Sequence, residues 1–364
     1  MNRRILILGN SRLVVFGFRG ELIDELVERG CEVYVAFPNG PFGEGSKESA
    51  SRGCKYVEVD INRRGKNPAE DIGLFRKYRQ IMQKVKPDAV LAYTVKCDIY
   101  GGLAARSLRI PFFPNITGLG KALDEGGLSA IVVRRLYKSS IKEACCVFFQ
   151  NSFDYEYFKK HNLIHGSARV LPGSGINLSK FKPLEYRLSS DVRFTFIGRL
   201  MKAKGIDQFL DAARELSGSN VEFHICGYCE EEYGPIVEKE QAAGNVMYHG
   251  LVDDVSNYIA DSDCIVLPTY HPEGISNVLL EAAASARPII TTDRHGCREV
   301  VEDGVNGYLV RQKDSQDLID KMRIFMSLNP QLRISMGKAG REKVEREFDR
   351  SIVVHEYLKA LDLA

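Results

Sequence analysis

Three cations crowd the stretch Gly198-Arg199-Leu200-Met201-Lys202-Ala203-Lys204-Gly205, which leads from an apolar strand into an amphipathic helix. Gly198 lets the chain turn at the strand end, and Gly205 opens the helix. Arg199, Lys202 and Lys204 therefore lie beside a helix N-terminus, which itself attracts anions. Arginine offers planar bidentate donors and lysine a point charge, a combination suited to a diphosphate. A solvated basic loop is the competing reading. A second feature is Glu273-Gly274-Ile275-Ser276-Asn277-Val278-Leu279-Leu280-Glu281, two acids eight apart across a strand-to-helix turn. Ser276 is placed as the N-cap, with Glu281 about one and a half turns into the helix. A carboxylate at Glu273 can accept hydrogen bonds from sugar hydroxyls, and the amides near Ile275 to Val278 can face a phosphate. Structurally, Glu281 could equally be an acid that stabilises a helix near its start.

Other chemical-looking spacings carry less. Asp261-Ser262-Asp263 has metal-binding form but sits where acids commonly bound helices and strands. Cys226 and Cys229 make a lone CxxC without a second pair, so neither zinc nor redox use is inferred. His161 and His165 have no accompanying acid and read as surface residues. No Gly-x-Gly-x-x-Gly follows the first strand and no Walker loop occurs, which argues against a dehydrogenase or a P-loop enzyme.

The elements that must position these residues alternate. Ile5–Leu8, Val33–Phe37, Tyr56–Val59, Ala89–Tyr93, Phe112–Ile116, Val147–Gln150 and Arg169–Leu171 read as short buried strands. Amphipathic stretches separate them, which predicts a parallel sheet covered on both faces. A turn-rich stretch, 173–190, interrupts the pattern. Alternation then resumes with strands at Arg193–Ile197, Glu222–Cys226, Val246–His249, Cys264–Pro268 and Pro288–Thr291, and three helices close the chain. The expectation is an α/β protein of two doubly wound domains, 1–178 and 179–349, facing across a cleft that is the default ligand site. The last helix, 350–362, is expected to pack back on the first domain.

The 364 residues are 44% hydrophobic and 27% charged, a globular composition. No apolar run exceeds six residues, far short of a membrane span, and Ile5 to Leu8 is too short for a signal-peptide core. Nine scattered cysteines suit a reducing, cytoplasmic compartment. The net charge of +2 conceals an asymmetry: 1–178 holds 27 Lys and Arg against 18 Asp and Glu, whereas 179–364 holds 23 against 30. Phe75–Lys86 and Ile131–Lys142 concentrate the first half's cations in two amphipathic helices. Either these are ordinary solvated faces, or they rest on an anionic leaflet. No nucleic-acid module is present.

Taken together, Gly198-Arg199-Leu200 with Lys204-Gly205, Asp263 to Thr269, the Glu273/Glu281 pair and Glu299-Val300-Val301-Glu302-Asp303-Gly304-Val305-Asn306-Gly307 fall in a specific order over about 110 residues. On these motifs the chain resembles the family 4 retaining glycosyltransferases of GT-B fold, most closely the bacterial enzymes of capsule, O-antigen and lipid-linked oligosaccharide assembly. The segment Gly175 to Phe181 stands where that family carries its hinge.

The resemblance implies transfer of a sugar from a nucleotide-diphosphate donor, UDP-linked by expectation, to a polyprenyl-diphosphate-linked or other saccharide. It implies catalytic roles for Arg199 and Lys204 on the diphosphate and Glu273 on the transferred sugar. Donor contacts would come from Gly9, Gly198, Gly227, Val252, Gly274, Ile275, Ser276, Asn277 and Glu281, the last on the ribose. No metal and no cofactor beyond the donor are expected. A nucleotide-sugar 2-epimerase of the same fold, or a non-catalytic subunit of a transferase complex, are the alternatives. The polyprenyl acceptor favours membrane contact by the two basic helices, at the inner face of the plasma membrane. Departures from the family pattern are a histidine-free loop at Asn115-Ile116-Thr117-Gly118-Leu119-Gly120, a single glycine in Gly9-Asn10-Ser11-Arg12, and Ile275-Ser276 after Glu273-Gly274.

Overall fold

The computed structural model describes residues 3–364 except 40–43, 63, 64, 66, 219, 231 and 253. Thirteen strands form two separate, wholly parallel sheets among the described residues. The first contains β1 (Arg4–Leu8), β2 (Glu32–Phe37), β3 (Lys55–Glu58), β4 (Ala89–Tyr93), β5 (Phe112–Ile116), β6 (Cys146–Phe149) and β7 (Ser167–Val170), in the order β3-β2-β1-β4-β5-β6-β7. The second contains β8 (Val192–Ile197), β9 (Val221–Cys226), β10 (Met247–Tyr248), β11 (Cys264–Leu267), β12 (Ile289–Thr292) and β13 (Gly307–Val310), in the order β10-β9-β8-β11-β12-β13. The central strands are buried along nearly their whole length, as helices on both faces require.

Each sheet reverses its winding once, between β1 and β4 and between β8 and β11. In doubly wound sheets the crevice outside the carboxyl ends of such a strand pair is where ligands bind. Local chemistry places the helices that frame the sheets. Asn67, Asn151, Asp314 and Asn329 cap helices Pro68–Val85, Ser152–Lys160, Ser315–Ser327 and Pro330–Glu347, each side chain accepting a first-turn backbone N–H. Pro68 and Pro330 occupy first helical positions, where a missing N–H costs nothing.

The chain divides into two units: residues up to Ser174 together with Arg350–Ala364, and Gly175–Asp349. The aperiodic stretch after β7 is fastened to the second unit by Arg287, fully buried, whose guanidinium donates to the carbonyls of Leu184, Glu185, Ile259 and Ala260. Strand β13 and the helices Glu44–Ser51 and Gly120–Glu125 were not anticipated by the periodicity; each is eight residues or fewer.

As expected, the last helix, Arg350–Ala360, returns to the first unit. Arg350 donates to both carboxylate oxygens of Glu21, at 2.9 and 2.7 Å. Tyr357 is fully buried, its ring 4.4 Å from that of Phe148 and 6.1 Å from that of Tyr93, and its hydroxyl accepts from Asn115 Nδ2. Truncating Tyr357 to alanine is expected to cost about 3–5 kcal/mol. Urea unfolding of the full chain checks this, and a variant as stable as wild type would show that the helix is not part of the first unit's core.

Candidate active site

The second unit's site begins with two strand ends that approach more closely than side chains permit. A Cβ on Gly227, after β9, would lie 1.8 Å from the Gly198 carbonyl oxygen, after β8. Beyond them the chains stay paired: Leu200 donates to Tyr228 and Glu230 donates back to Leu200, both at 2.9 Å. This pairing brings the Arg199 guanidinium to Glu230, with NH1 3.2 Å from Oε1, while NH2 lies 3.5 Å from His271 Nε2.

The turn Lys202–Lys204 closes at Gly205, which has φ of 79° and leads into helix Ile206–Leu216. A Cβ there would sit 2.1 Å from the Pro268 carbonyl oxygen, so only glycine lets the turn lie against the end of β11. The Ala203 carbonyl then accepts from the Tyr270 N–H at 2.8 Å and the Thr269 hydroxyl at 3.2 Å. These bonds join the loops after β8 and β11, the winding-reversal pair. As a result Lys204 Nζ donates to Glu273 Oε1, with the two side chains only 12% and 15% exposed.

Glu273 and His271 respond to this environment in opposite ways. Burial alone would raise the Glu273 carboxyl, but the charge and hydrogen bond of Lys204, helped by His271 and Arg199, hold it below the ordinary range. Burial lowers His271 to about 4, reinforced by Lys204, Arg199 and Arg294 against the opposing pull of Glu273. His271 is therefore neutral at pH 7.

Beyond Glu273, the backbone is locked by Gly296 at φ of 85°. Its Cβ position would be 2.8 Å from the Glu273 carbonyl oxygen and 2.9 Å from that of Gly274, and its own carbonyl accepts the Ser276 N–H at 2.8 Å. Glu299 accepts the Gly296 N–H at 2.7 Å. Ser276 does occupy the N-cap of helix Asn277–Ala284, but its hydroxyl makes no capping bond; the tie to Gly296 fixes the helix start instead. Ile275 packs into the unit's core, so its side chain is turned away from the loop surface. Glu281 lies half-buried on that helix.

Arg199, Lys204, Glu273, Gly274, Ser276 and Asn277 thus cluster at the carboxyl ends of β8 and β11. Gly198 and Gly227 border them, the Gly227 N–H donating to Gly250 at 2.7 Å; Val252, two residues on, packs against the unit's core. Gly9 belongs to the first unit, at the end of β1, where a Cβ would meet Val15 at 2.4 Å. Sequence reasoning overlooked His271 and Glu230. The first shares a His-x-Glu spacing with Glu273 and could have been noticed; the second reaches Arg199 only through the register of β8 and β9.

The other spacings resolve differently. Asp263 is buried and accepts from Arg187 at 3.0 Å and from the Arg193 N–H at 2.8 Å, and Asp261 lies 3.7 Å from Arg193. Their carboxylates are engaged by arginines. His161 is turned onto its own helix, 2.8 Å from the Tyr157 carbonyl. Cys226 is buried, which pushes its thiol up to about 12. No group of three His, Cys, Asp or Glu side chains among the described residues could hold a metal ion.

Next to Gly250, His249 Nε2 lies 2.9 Å from His224 Nδ1, the rings stacked with centroids 5.0 Å apart. Burial lowers His224 to about 4, with Arg193 and His249 adding repulsion against Glu222. His224 and His271 therefore fold as neutral rings, whereas the unfolded chain takes up protons below about pH 6.5. Stability from these residues is complete above pH 6.5 and is lost as the pH falls toward 4. Urea midpoints at pH 7.5 and 5.0 should show the chain weaker in acid, and His224→Asn with His271→Asn should reduce the difference. An unchanged difference would exclude these two rings as its source.

Comparison with known proteins identifies the family and the fold. Residues 191–327 match the family described as Glycosyl transferases group 1, and residues 4–151 match Glycosyl transferase 4-like. The N,N'-diacetylbacillosaminyl-diphospho-undecaprenol alpha-1,3-N-acetylgalactosaminyltransferase of Campylobacter jejuni is 26% identical, over 99% of this chain and 98% of its own. The capsular polysaccharide biosynthesis glycosyltransferase CapM of Staphylococcus aureus is 29% identical over 79% and 81%. Among solved structures, Anabaena HepE in complex with UDP and glucose superposes with a TM-score of 0.79 over all of both chains at 17% identity. Sucrose-phosphate synthase from Thermosynechococcus elongatus gives 0.79 over 99% and 98% at 18% identity, and both likenesses show the GT-B fold.

Proposed function

The chain belongs to the group 1, GT4-like glycosyltransferases, and from that premise we propose that it moves a sugar, with retained anomeric configuration, from a UDP-linked donor to a lipid-linked saccharide. The observation that carries the donor assignment is the convergence of Arg199, Lys204 and Glu273 at the ends of β8 and β11. Support for the substrates comes from relatives: HepE is seen with UDP, and the C. jejuni transferase is named for an undecaprenyl-diphosphate-linked saccharide.

As the glycosidic bond breaks, negative charge grows on the departing diphosphate. Arg199 and Lys204 are already oriented by Glu230 and Glu273, so they meet that charge with little reorganisation and act chiefly in the transition state. Glu273 stays ionised beside Lys204 and accepts hydroxyls of the transferred sugar. Glu281 accepts the ribose hydroxyls, and the first-turn amides of helix Asn277–Ala284 face the phosphates. Side-chain cations stand in for a metal and no cofactor is needed. The donor phosphate takes the acceptor's proton on the face it leaves, which preserves configuration without a protein nucleophile.

The first unit takes the acceptor. No described helix is long and apolar enough to cross a membrane. The helices Pro68–Val85 and Gly127–Ser140 instead rest their exposed cations on the anionic cytoplasmic leaflet.

Arg199→Ala and Lys204→Ala should each lower acceptor-dependent release of UDP by about a hundredfold or more while the far-UV spectrum is retained. Wild-type turnover in either variant would remove the clamp from the mechanism. A UDP-sugar at about 100 times its dissociation constant should add roughly 2.7 kcal/mol of stability. A thermal scan flat to UDP, GDP and dTDP sugars alike would overturn the donor assignment.

A further inference from the structure

The first unit has an apolar groove that the donor chemistry leaves unused. It encloses about 550 Å³ between the helices Pro68–Val85, Gly102–Leu108 and Gly127–Ser140, and Ile72, Phe75, Tyr100, Leu103 and Leu136 line it. From its edge an apolar stripe continues along the third helix. Leu128, Val132 and Leu136 fall at i, i+4 and i+8 on one face, and Ile131 stands beside them. Leu128 is 83% exposed, Val132 57% and Ile131 40%, so this helix turns large aliphatic side chains into water. Exposed apolar surface of this continuity marks a binding face.

The helices beside the groove carry an excess of cations, while its lining holds one carboxylate, Asp71, and one guanidinium, Arg106. Helix Gly127–Ser140 carries Arg134, Arg135 and Lys138 and no acid, and helix Pro68–Val85 has no acid after Asp71 but four cations. A second, polar cavity of about 750 Å³ lies beyond the carboxyl ends of β3 and β4, where Glu58, Asp60, Glu70 and Asp71 outnumber Lys77 and Lys96. The two cavities share Asp71, whose carboxylate accepts from Lys96 Nζ and from the Tyr100 hydroxyl, both at 2.7 Å.

An apolar groove flanked by cationic helices, with a carboxylate-lined polar cavity sharing Asp71 with it, matches an amphiphile that has an apolar tail, an anionic group and a hydroxyl-rich head. We infer that the groove holds the first isoprene units of the acceptor's polyprenyl chain, with its diphosphate among the surrounding cations and its saccharide toward the polar cavity. The Leu128–Val132 stripe carries the chain onward to the bilayer. This rests on the lipid-linked acceptor proposed above, but it can be tested without transfer.

The probe is farnesyl diphosphate titrated into the full-length protein, with inorganic pyrophosphate as the tail-free control. Farnesyl diphosphate should bind saturably and pyrophosphate at least tenfold more weakly. Ile72→Gln, at an exposed position, and Leu136→Gln should each weaken farnesyl diphosphate at least tenfold with pyrophosphate binding unchanged. Equal affinity for the two probes, or wild-type farnesyl diphosphate binding in both variants, would overturn the assignment. Loss of liposome sedimentation in these variants with farnesyl diphosphate binding intact would also overturn it, making the face a bilayer contact only. Intact, variant-sensitive binding without any transfer to isoprenyl-diphosphate saccharides would instead sink the acceptor reading and leave the groove standing.

Discussion

The contact between Lys204 and Glu273 joins two loops that leave different strands and holds both charges nearly out of water. Such a pair is an uncertain source of stability, because desolvating each ion offsets much of their attraction. Removing one partner is costly, at about 3–5 kcal/mol, since the other is left buried alone. The pair therefore fixes position more than it lowers folding free energy. Around it the backbone is over-determined: Ala203 accepts two hydrogen bonds from the opposite loop, and Gly205 and Gly296 each occupy a place where a Cβ would strike a carbonyl. A cation held in this way suits a ligand whose charge rises during reaction, because the orienting work is already done before the ligand arrives.

Sheet topology puts that contact where it is. Strands β8 and β11 are neighbours but are separated in sequence by the β9 and β10 excursion, so their following loops diverge to opposite faces and leave a crevice between them. Most site residues in the second unit lie on those loops or on the adjoining ends of β9 and β12; Glu281 sits within the following helix and Val252 after β10. The same reversal occurs at β1 and β4 in the first unit, with Gly9 after one strand and Lys96 beyond the other. One architectural rule thus places a pair of diverging loops in each unit, and side-chain chemistry distinguishes them.

Much of this was readable from the chain. Strands buried on both faces appear as bare apolar runs, and twelve of the thirteen were located to within one or two residues. The glycine-bounded cation cluster and the paired glutamates were legible because their spacing is local. The exceptions share a cause. Glu230 is brought to Arg199 by strand register, and Asp263 is claimed by Arg187, 76 residues away. Neither leaves a periodic trace. Strand β13 opens on Gly307 directly after the turn at Gly304, so its three apolar residues do not stand out as a separate run. Ser276 had the right residue type for a cap, but its hydroxyl makes no capping bond; its own N–H donates to the Gly296 carbonyl, which anchors the helix start without capping it.

The charge division between the halves acquires a physical basis at this level. In the second unit the excess acid is offset where it matters, by cations converging on one crevice. In the first unit the excess base is spread over two helices whose outer faces also carry Ile72, Leu128, Ile131 and Val132. Cations alone on a helix surface need no partner, since water solvates them well. Exposed aliphatic side chains among them do, because each costs free energy in proportion to its apolar area for as long as it stays wet. A partner that is both apolar and anionic satisfies the two requirements at once, and a membrane lipid with a diphosphate head has that character.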